Sequence, residues 1–98
     1  MQFVIYAKDK PNNLDHRMEV RPRHLDYWGE NGADVLLAGP MLDDNEKPCG
    51  SMLVLEADNL ADVRALAEAD PYWTEGVFGS IEVSATNLFL GRLASQDD

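Results

Sequence analysis

The sequence predicts one α+β domain of ferredoxin-like type, a βαββαβ sandwich in which a four-stranded antiparallel sheet carries two helices on one face. Two observations on size and composition bound this prediction. A chain of 98 residues has room for one domain with a modest core. A hydrophobic fraction of 45% with 27% charged residues is typical of globular proteins and excludes disordered and fibrous classes. The third observation is the order of the predicted elements.

The first part of the chain predicts a strand, a loop and helical segments. Residues 2–8 are β-branched and aromatic, and the run is too short for a helix, so they predict a strand. A proline and two asparagines make residues 9–13 a loop. Residues 14–20 predict a short helical turn. A new helix follows over residues 22–31, because a proline suits its first position, and Gly32 ends it.

The middle of the chain predicts two strands joined by a hairpin. Residues 34–38 form the second strand, which Gly39-Pro40 ends. Residues 43–48 are polar and form the connection. Residues 51–56 form the third strand, and their nearly continuous apolar run predicts burial on both faces.

The last two elements are a helix and a strand. Asp58 or Asn59 caps the second helix, whose apolar residues recur at helical spacing until Pro71 ends it. Residues 77–86 form the fourth strand, which Gly79 interrupts.

The domain is predicted to span residues 1–93, followed by a polar tail over residues 94–98. Residues 88–93 are expected to extend along a neighbouring segment. Both helices cover one face of the predicted sheet, and its strands are mostly apolar. A second copy of the chain is therefore expected to cover the other face, which makes a homodimer or a higher homo-oligomer.

Charge and hydropathy exclude several classes of partner. The net charge is −10, from 18 acidic and 8 basic residues, so binding to nucleic acid or to anionic membrane surfaces is not expected. The apolar runs are too short to span a membrane, and the first residues do not resemble a signal peptide, so a cytoplasmic location is expected. The single cysteine, Cys49, excludes an intrachain disulfide and a CxxC metal site.

The basic residues are unevenly distributed along this acidic chain. Five of the eight fall within the first quarter of the sequence: Lys8, Lys10, Arg17, Arg21 and Arg23. This clustering is consistent with a local site for a small anion. The alternative is a solvated face whose cations pair with nearby carboxylates, since such exposed pairs are common and individually weak.

His24 and Asp70 are the candidates for acid–base chemistry. In this fold the two helices run roughly antiparallel, so the start of the first lies near the end of the second and the two side chains could meet. An aspartate that accepts a hydrogen bond from one imidazole nitrogen leaves the other nitrogen free as a base. On the residues alone, a surface histidine and a turn-forming aspartate are the alternative.

The remaining candidates are weaker. No nucleophile elbow surrounds Ser51, which argues against a hydrolase triad and leaves it as a hydrogen-bond donor to a ligand or a strand-edge hydroxyl. No metal-ligand spacing and no nucleotide-binding glycine loop is present, so neither a metal nor a cofactor is expected. Five aromatic residues could line a pocket for a flat ligand or belong to the core or a dimer interface: Tyr6, Tyr27, Trp28, Tyr72 and Trp73.

Several short motifs occur together in the order found in one known family. They are Phe3-Val4-Ile5-Tyr6-Ala7-Lys8-Asp9, Arg17, Arg21-Pro22-Arg23-His24-Leu25, Ala38-Gly39-Pro40, Gly50-Ser51, Ala67-Glu68-Ala69-Asp70-Pro71-Tyr72 and Gly76-Val77-Phe78. Over roughly residues 1–90 the chain resembles the YciI-like (YCII-related) family. The short acidic connection over residues 43–46 departs from the longer segment of many members.

The resemblance implies a dimeric α+β barrel with a pocket that holds a His-Asp pair, here His24 and Asp70. It also implies that Arg17 and Ser51 lie near that pocket. Relatives with this architecture act on small cyclic or aromatic compounds, as isomerases, dehydrochlorinases or monooxygenases. Function does not follow from fold alone, so this last step is an analogy.

These observations lead to one functional hypothesis and two rivals. The hypothesis is a cofactor-independent enzyme that performs isomerisation or elimination on a small cyclic or phenolic anion. His24 would be the acid or base and Asp70 would orient it. The substrate would contact Arg17, Ser51, Tyr6 and Tyr72. The rivals are a non-catalytic ligand-binding or accessory dimer that uses the same pocket, and a purely structural oligomerisation domain.

Overall fold

The computed structural model describes residues 1–94 and confirms the ferredoxin-like α+β fold. The sheet has four antiparallel strands in the order β2-β3-β1-β4. The elements are β1 (Gln2–Asp9), α1 (Leu14–Asn31), β2 (Val35–Leu42), β3 (Pro48–Glu56), α2 (Leu60–Glu68), α3 (Pro71–Thr74) and β4 (Phe78–Thr86). Residues 95–98 of the predicted polar tail lie outside the described residues.

Helix α1 is one continuous helix, so the predicted division into a turn and a second helix is wrong. Pro22 lies inside it rather than at its start. A proline there removes one helical hydrogen bond, but the inward packing of Arg17 and Val20 anchors the turns that precede it. Gly32 ends the helix as predicted, and its N–H donates to the carbonyl of Trp28.

Strand β2 continues through Gly39-Pro40 to Leu42, so the predicted end of this strand is also wrong. The strand order places β2 at an edge of the sheet. A proline is tolerated on an edge strand because its missing N–H can lie on the side without a neighbour. The longer strand forms one wall of the cavity described below.

In the second half of the chain, the structure adds detail to the predicted helix and strand. Asn59 caps α2, and its side chain accepts a hydrogen bond from the backbone N–H of Asp62. The short helix α3 was not predicted, because four residues are too few to show a helical period. The predicted interruption of β4 is a bulge: Asp9 pairs with Phe78 and Lys8 with Ser80, which leaves Gly79 as the extra residue.

Alternation along the strands separates a helix-covered face from an open face. On β1, the buried residues Phe3, Ile5 and Ala7 face the helices, while Tyr6 lies on the opposite face and is 38% exposed. The core therefore lies between the sheet and the helices. It consists of two clusters, Phe3, Ile5, Leu53, Leu55, Val63, Ala67 and Val83 in one, and Ala7, Val20, Tyr72, Val77 and Phe78 in the other.

Within residues 1–94, no helix combines the length and the apolar character that crossing a bilayer would require. The segment after β4 forms neither helix nor strand as far as Ala94. Its side chains Phe89, Leu90 and Leu93 are largely exposed. The segment nevertheless lies beside Leu37 and Val54 of the same chain, and the N–H of Leu88 donates to Gln2 Oε1 at 3.1 Å.

Candidate functional site

A cavity of about 530 Å³ lies between α1 and the strands β2 and β3. It forms because α1 and α2 leave the edge strand β2 uncovered, while α1 lies over the helix-facing side of β3. Most of its surface is apolar, and its polar and titratable side chains come from α1, β3 and α3. They are Arg17, Arg21, His24, Ser51 and Tyr72.

His24 lines this cavity and is in direct contact with Asp70, which is buried and does not line it. His24 Nδ1 lies 2.9 Å from Asp70 Oδ1 and 3.0 Å from Oδ2. A carboxylate only accepts hydrogen bonds, so Nδ1 is the protonated nitrogen in this pair. Among the described residues, Nε2 has no hydrogen-bond partner. The imidazole is therefore oriented through one nitrogen while the other remains available.

The structure reaches this contact by a route that differs from the predicted one. His24 lies in the middle of α1 rather than near a helix start, because α1 begins at Leu14. Asp70 caps α3 rather than ending the second helix, and its Oδ1 accepts from the backbone N–H of Tyr72 at 2.9 Å. The packing of α1 against α3 brings the two side chains together.

The carboxylate of Asp70 is buried and fully hydrogen-bonded. Its exposed fraction is 1%. Besides His24 and the N–H of Tyr72, the indole Nε1 of Trp28 donates to Oδ2 at 2.8 Å. The sequence predicts Trp28 as a pocket-lining, core or interface aromatic and not as a partner of Asp70. Its spacing of four residues from His24 on one helix is the signal that both side chains can reach the same partner.

The ring of Tyr72 lies against the side chains of His24 and Arg17. It stacks on the His24 imidazole with 3.8 Å between centroids and 15° between planes. The guanidinium carbon of Arg17 lies 4.5 Å from the same ring centroid. Burial raises the pKa of Tyr72, against the opposing effect of Arg17 and Arg21, so its phenol is protonated at neutral pH.

Arg17 joins Asp9 to Ser51 in a buried network. Its Nη1 donates to Asp9 Oδ1 at 2.8 Å, and its Nη2 donates to Ser51 Oγ at 2.7 Å. Asp9 Oδ2 is buried and has no hydrogen-bond partner among residues 1–94. Burial raises the pKa of Asp9, while the charge and hydrogen bond of Arg17 oppose that shift. Sequence reasoning missed Asp9, which was assigned to a loop.

The other basic residues of α1 have different surroundings. Arg21 lines the cavity. Arg23 forms two hydrogen bonds with the carboxylate of Glu75, at 2.7 and 2.5 Å, on the exposed side of the helix. His16 Nε2 lies 2.6 Å from the Glu75 carbonyl oxygen and does not line the cavity.

Three of the predicted aromatic residues do not line this cavity. Tyr6 lies on the opposite face of the sheet because it alternates with Ile5 and Ala7, which face the helices. The hydroxyl of Tyr27 donates to the carbonyl of Leu66 at 2.6 Å. Trp73 is 38% exposed. Of the predicted contacts, the chain therefore brings Arg17, Ser51 and Tyr72 to the His24–Asp70 cavity and leaves Tyr6 outside it.

Within residues 1–94, no cluster of three or more histidine, cysteine, aspartate or glutamate side chains is arranged to hold a metal ion. Cys49 is an exposed free thiol on β3.

The profile of the YCII-related domain matches residues 1–87. This chain belongs to the YCII-related family. Two YCII relatives named Protein YciI, from Escherichia coli and Shigella flexneri, are each 38% identical over 92 residues. Each match covers 85% of this chain and 93% of the relative. The family resemblance seen in the short motifs is thus confirmed.

This YCII-related chain is also similar to a solved enzyme structure, 5-chloro-2-hydroxyhydroquinone dehydrochlorinase (TftG) from Burkholderia phenoliruptrix, in complex with 2,5-dihydroxybenzoquinone. The TM-score is 0.82 at 30% identity, covering 97% of this chain and 100% of that one. A protein from Agrobacterium tumefaciens has a TM-score of 0.56 at 14% identity, covering 96% of this chain and 97% of that one. The second likeness shows the fold alone.

Proposed function

We propose that this protein is a small enzyme that carries out general acid–base chemistry on a small cyclic or phenolic anion. The reaction is an isomerisation or an elimination of the dehydrochlorination type. The observation that carries the proposal is the bond between His24 Nδ1 and buried Asp70 in the wall of a cavity large enough for one ring compound.

His24 is proposed as the general base and acid. Its Nε2 takes a proton from an O–H or C–H group of the substrate, which leaves an electron pair on the ring system. In an elimination that pair forms a new double bond and expels chloride with its bonding electrons. In an isomerisation Nε2 returns the proton to another carbon. A positioned base of this kind contributes about 10²- to 10⁴-fold to the rate.

Asp70 is proposed to orient the imidazole and to stabilise the cation that forms when Nε2 binds a proton. Ser51 is proposed to bind the substrate, and Arg17 to hold the Ser51 hydroxyl in place for that contact. Because Ser51 Oγ accepts a hydrogen bond from Arg17, its own proton is free to be donated to a substrate oxygen. Tyr72 supplies an aromatic face and a protonated phenol at the cavity.

The likeness to TftG supports the chemical class. TftG is a dehydrochlorinase of a chlorinated hydroxyhydroquinone, and its structure holds a dihydroxybenzoquinone. A cavity with two arginines, a histidine and an aromatic wall suits ring compounds that carry negative oxygen atoms.

The test compares His24→Ala with His16→Ala in an assay of chloride release from 5-chloro-2-hydroxyhydroquinone and related chlorinated phenols. His16 is a matched control because it lies on the same helix and does not line the cavity. We expect His24→Ala to lower the rate about 10²- to 10⁴-fold and His16→Ala to leave it unchanged. Turnover that survives His24→Ala contradicts the proposal. A wild-type protein that binds these rings without converting any of them supports a non-catalytic ligand-binding role instead.

We also propose that the protein is a homodimer that pairs the open faces of two sheets as an α+β barrel. The open face carries half-exposed apolar side chains, among them Tyr6, Leu37 and Met52. The exposed side chains Leu90 and Leu93 continue this apolar surface beside Leu37. Sedimentation at micromolar concentration is expected to give twice the 10.9 kDa chain mass. A single species of the chain mass contradicts the dimer.

A further inference from the structure

The cavity is cationic within a strongly acidic protein. The chain carries a net charge of −10, yet within residues 1–94 no aspartate or glutamate lines the cavity. The charged side chains that line it are Arg17 and Arg21, next to His24. Positive charge in the cavity of a negatively charged protein favours an anionic ligand, because a negatively charged cavity would repel that ligand.

The two arginines are not equivalent, although they lie one turn apart on α1. Arg17 is buried, with a side-chain exposure of 5%, and its charge is opposed by the Asp9 carboxylate at 2.8 Å. Its Nη2 is occupied by Ser51. An ion pair of this kind has little net charge to offer a ligand, since the guanidinium already has its counterion.

Arg21 is exposed, and among residues 1–94 no carboxylate oxygen lies within 4.0 Å of its guanidinium. It lies close enough to Tyr72 for its charge to act on that phenol. Its neighbour Arg23 already pairs with Glu75, and it does not line the cavity. Arg21 is therefore the arginine of the cavity whose charge is uncompensated.

We infer that Arg21 is the specificity-determining residue of the site and selects a substrate whose negative charge is carried on oxygen, such as a phenolate, an enolate or a carboxylate. This inference rests on the proposed function, because it names the substrate class of that same cavity. Arg17 then acts through Ser51, whose hydroxyl it holds in place, while Arg21 provides the charge that distinguishes an anionic ring from a neutral one.

The test measures by calorimetry the binding of two quinones of similar shape. The anionic probe is 2,5-dihydroxybenzoquinone, which is ionised at neutral pH, and the neutral probe is 2,5-dimethoxybenzoquinone. Arg21→Gln is compared with Arg23→Gln, which removes the same charge from the same helix outside the cavity. Arg21→Lys keeps the charge and serves as the conservative variant.

We expect Arg21→Gln to weaken binding of the anionic probe about tenfold and to leave the neutral probe unchanged. Arg23→Gln is expected to change neither affinity more than about twofold, and Arg21→Lys to retain most of the anion binding. Because Arg21 is exposed, its variants are expected to melt like the wild type.

The outcomes separate this inference from the function on which it rests. Equal weakening by Arg21→Gln and Arg23→Gln, or none by either, overturns the role of Arg21 while the proposed acid–base function stands. Loss of both probes in Arg21→Gln points to a change of cavity shape and also overturns it. A wild-type protein that binds neither quinone contradicts the proposed function, and the role of Arg21 fails with it.

Discussion

Two buried carboxylates lie beside the same helix, and their surroundings differ. Both oxygens of Asp70 accept hydrogen bonds, and its donors are His24, the N–H of Tyr72 and the indole of Trp28. Asp9 has one oxygen bonded to Arg17 and one buried oxygen that has no partner in the part of the chain that the structure describes. Their exposed fractions are similarly low, so burial alone does not distinguish them.

The two carboxylates differ in how many hydrogen-bond donors hold them. Two neutral donors hold Asp70 whatever the protonation state of His24, so the imidazole can gain and lose a proton without leaving the carboxylate unbonded. Asp9 depends on Arg17 alone, because a buried carboxylate without its counterion is strongly unfavourable. The Asp70 pair therefore suits chemistry, and the Asp9 pair suits stability.

The largest expected effect on stability comes from breaking the Arg17–Asp9 pair, because Asp9 depends on Arg17. Arg17→Met keeps an apolar stem but leaves Asp9 buried without its cation, so we expect a loss of about 3–5 kcal/mol in the free energy of unfolding. Urea titration measures it. Arg23→Met, which breaks only an exposed pair, is the matched control and is expected to show no measurable change. Equal losses in the two variants would contradict the contrast between the two pairs.

A smaller loss of stability is expected from a substitution at Asp70, whose carboxylate accepts hydrogen bonds from several donors. Asp70→Asn keeps the shape and one acceptor oxygen, which can still cap α3. Its amide N–H₂ then faces the N–H groups of Trp28 or His24, so we expect a loss of about 1–3 kcal/mol, below that of Arg17→Met. Turnover is expected to fall much more than stability. A variant with full activity would show that Asp70 does not orient His24.

The smallest effect is a dependence of stability on pH. The folded state holds the pKa of Asp9 above its ordinary value of 3.8. At pH values between 3.8 and the raised pKa, the folded chain therefore binds more protons than the unfolded chain. Asp9 therefore contributes stability at pH values below 3.8, and this contribution is lost as the pH rises through the raised pKa. The stability of the wild type relative to Asp9→Asn is expected to fall over that range and then stay constant. A relative stability that rises over this pH range would contradict a raised pKa of Asp9 in the folded state.

Local patterns in the sequence were sufficient for most of the fold. Periodicity and turn residues predicted the four strands and a helix cap at Asp58 or Asn59, of which the structure uses Asn59. The predicted interruption at Gly79 is a bulge. Local patterns failed where tertiary structure overrides a local signal. Pro22 normally starts a helix, but the buried residues Arg17 and Val20 before it and the half-buried Tyr27 and Trp28 after it keep α1 continuous. Pro40 normally ends a strand, but the edge position of β2 tolerates it.

The candidate site was predictable only in part. The topology brings α1 beside the segment after α2, and that was enough to predict that His24 and Asp70 meet. Their catalytic roles stay predictions. The Asp9–Arg17 pair was missed because it joins the end of β1 to the first turns of α1, across a loop with no periodic signal. The stacking of Tyr72 on His24 depends on α3, which is too short to be predicted.

The most direct test of the central claim is the tautomer of His24, measured through the nitrogen chemical shifts of its imidazole. We expect neutral His24 to carry its proton on Nδ1, bonded to Asp70, and to present an unprotonated Nε2 to the cavity. Asp70→Asn is expected to remove this preference. Finding the proton of neutral His24 on Nε2 in the wild type would contradict the account, because the nitrogen facing the substrate could then not act as a base.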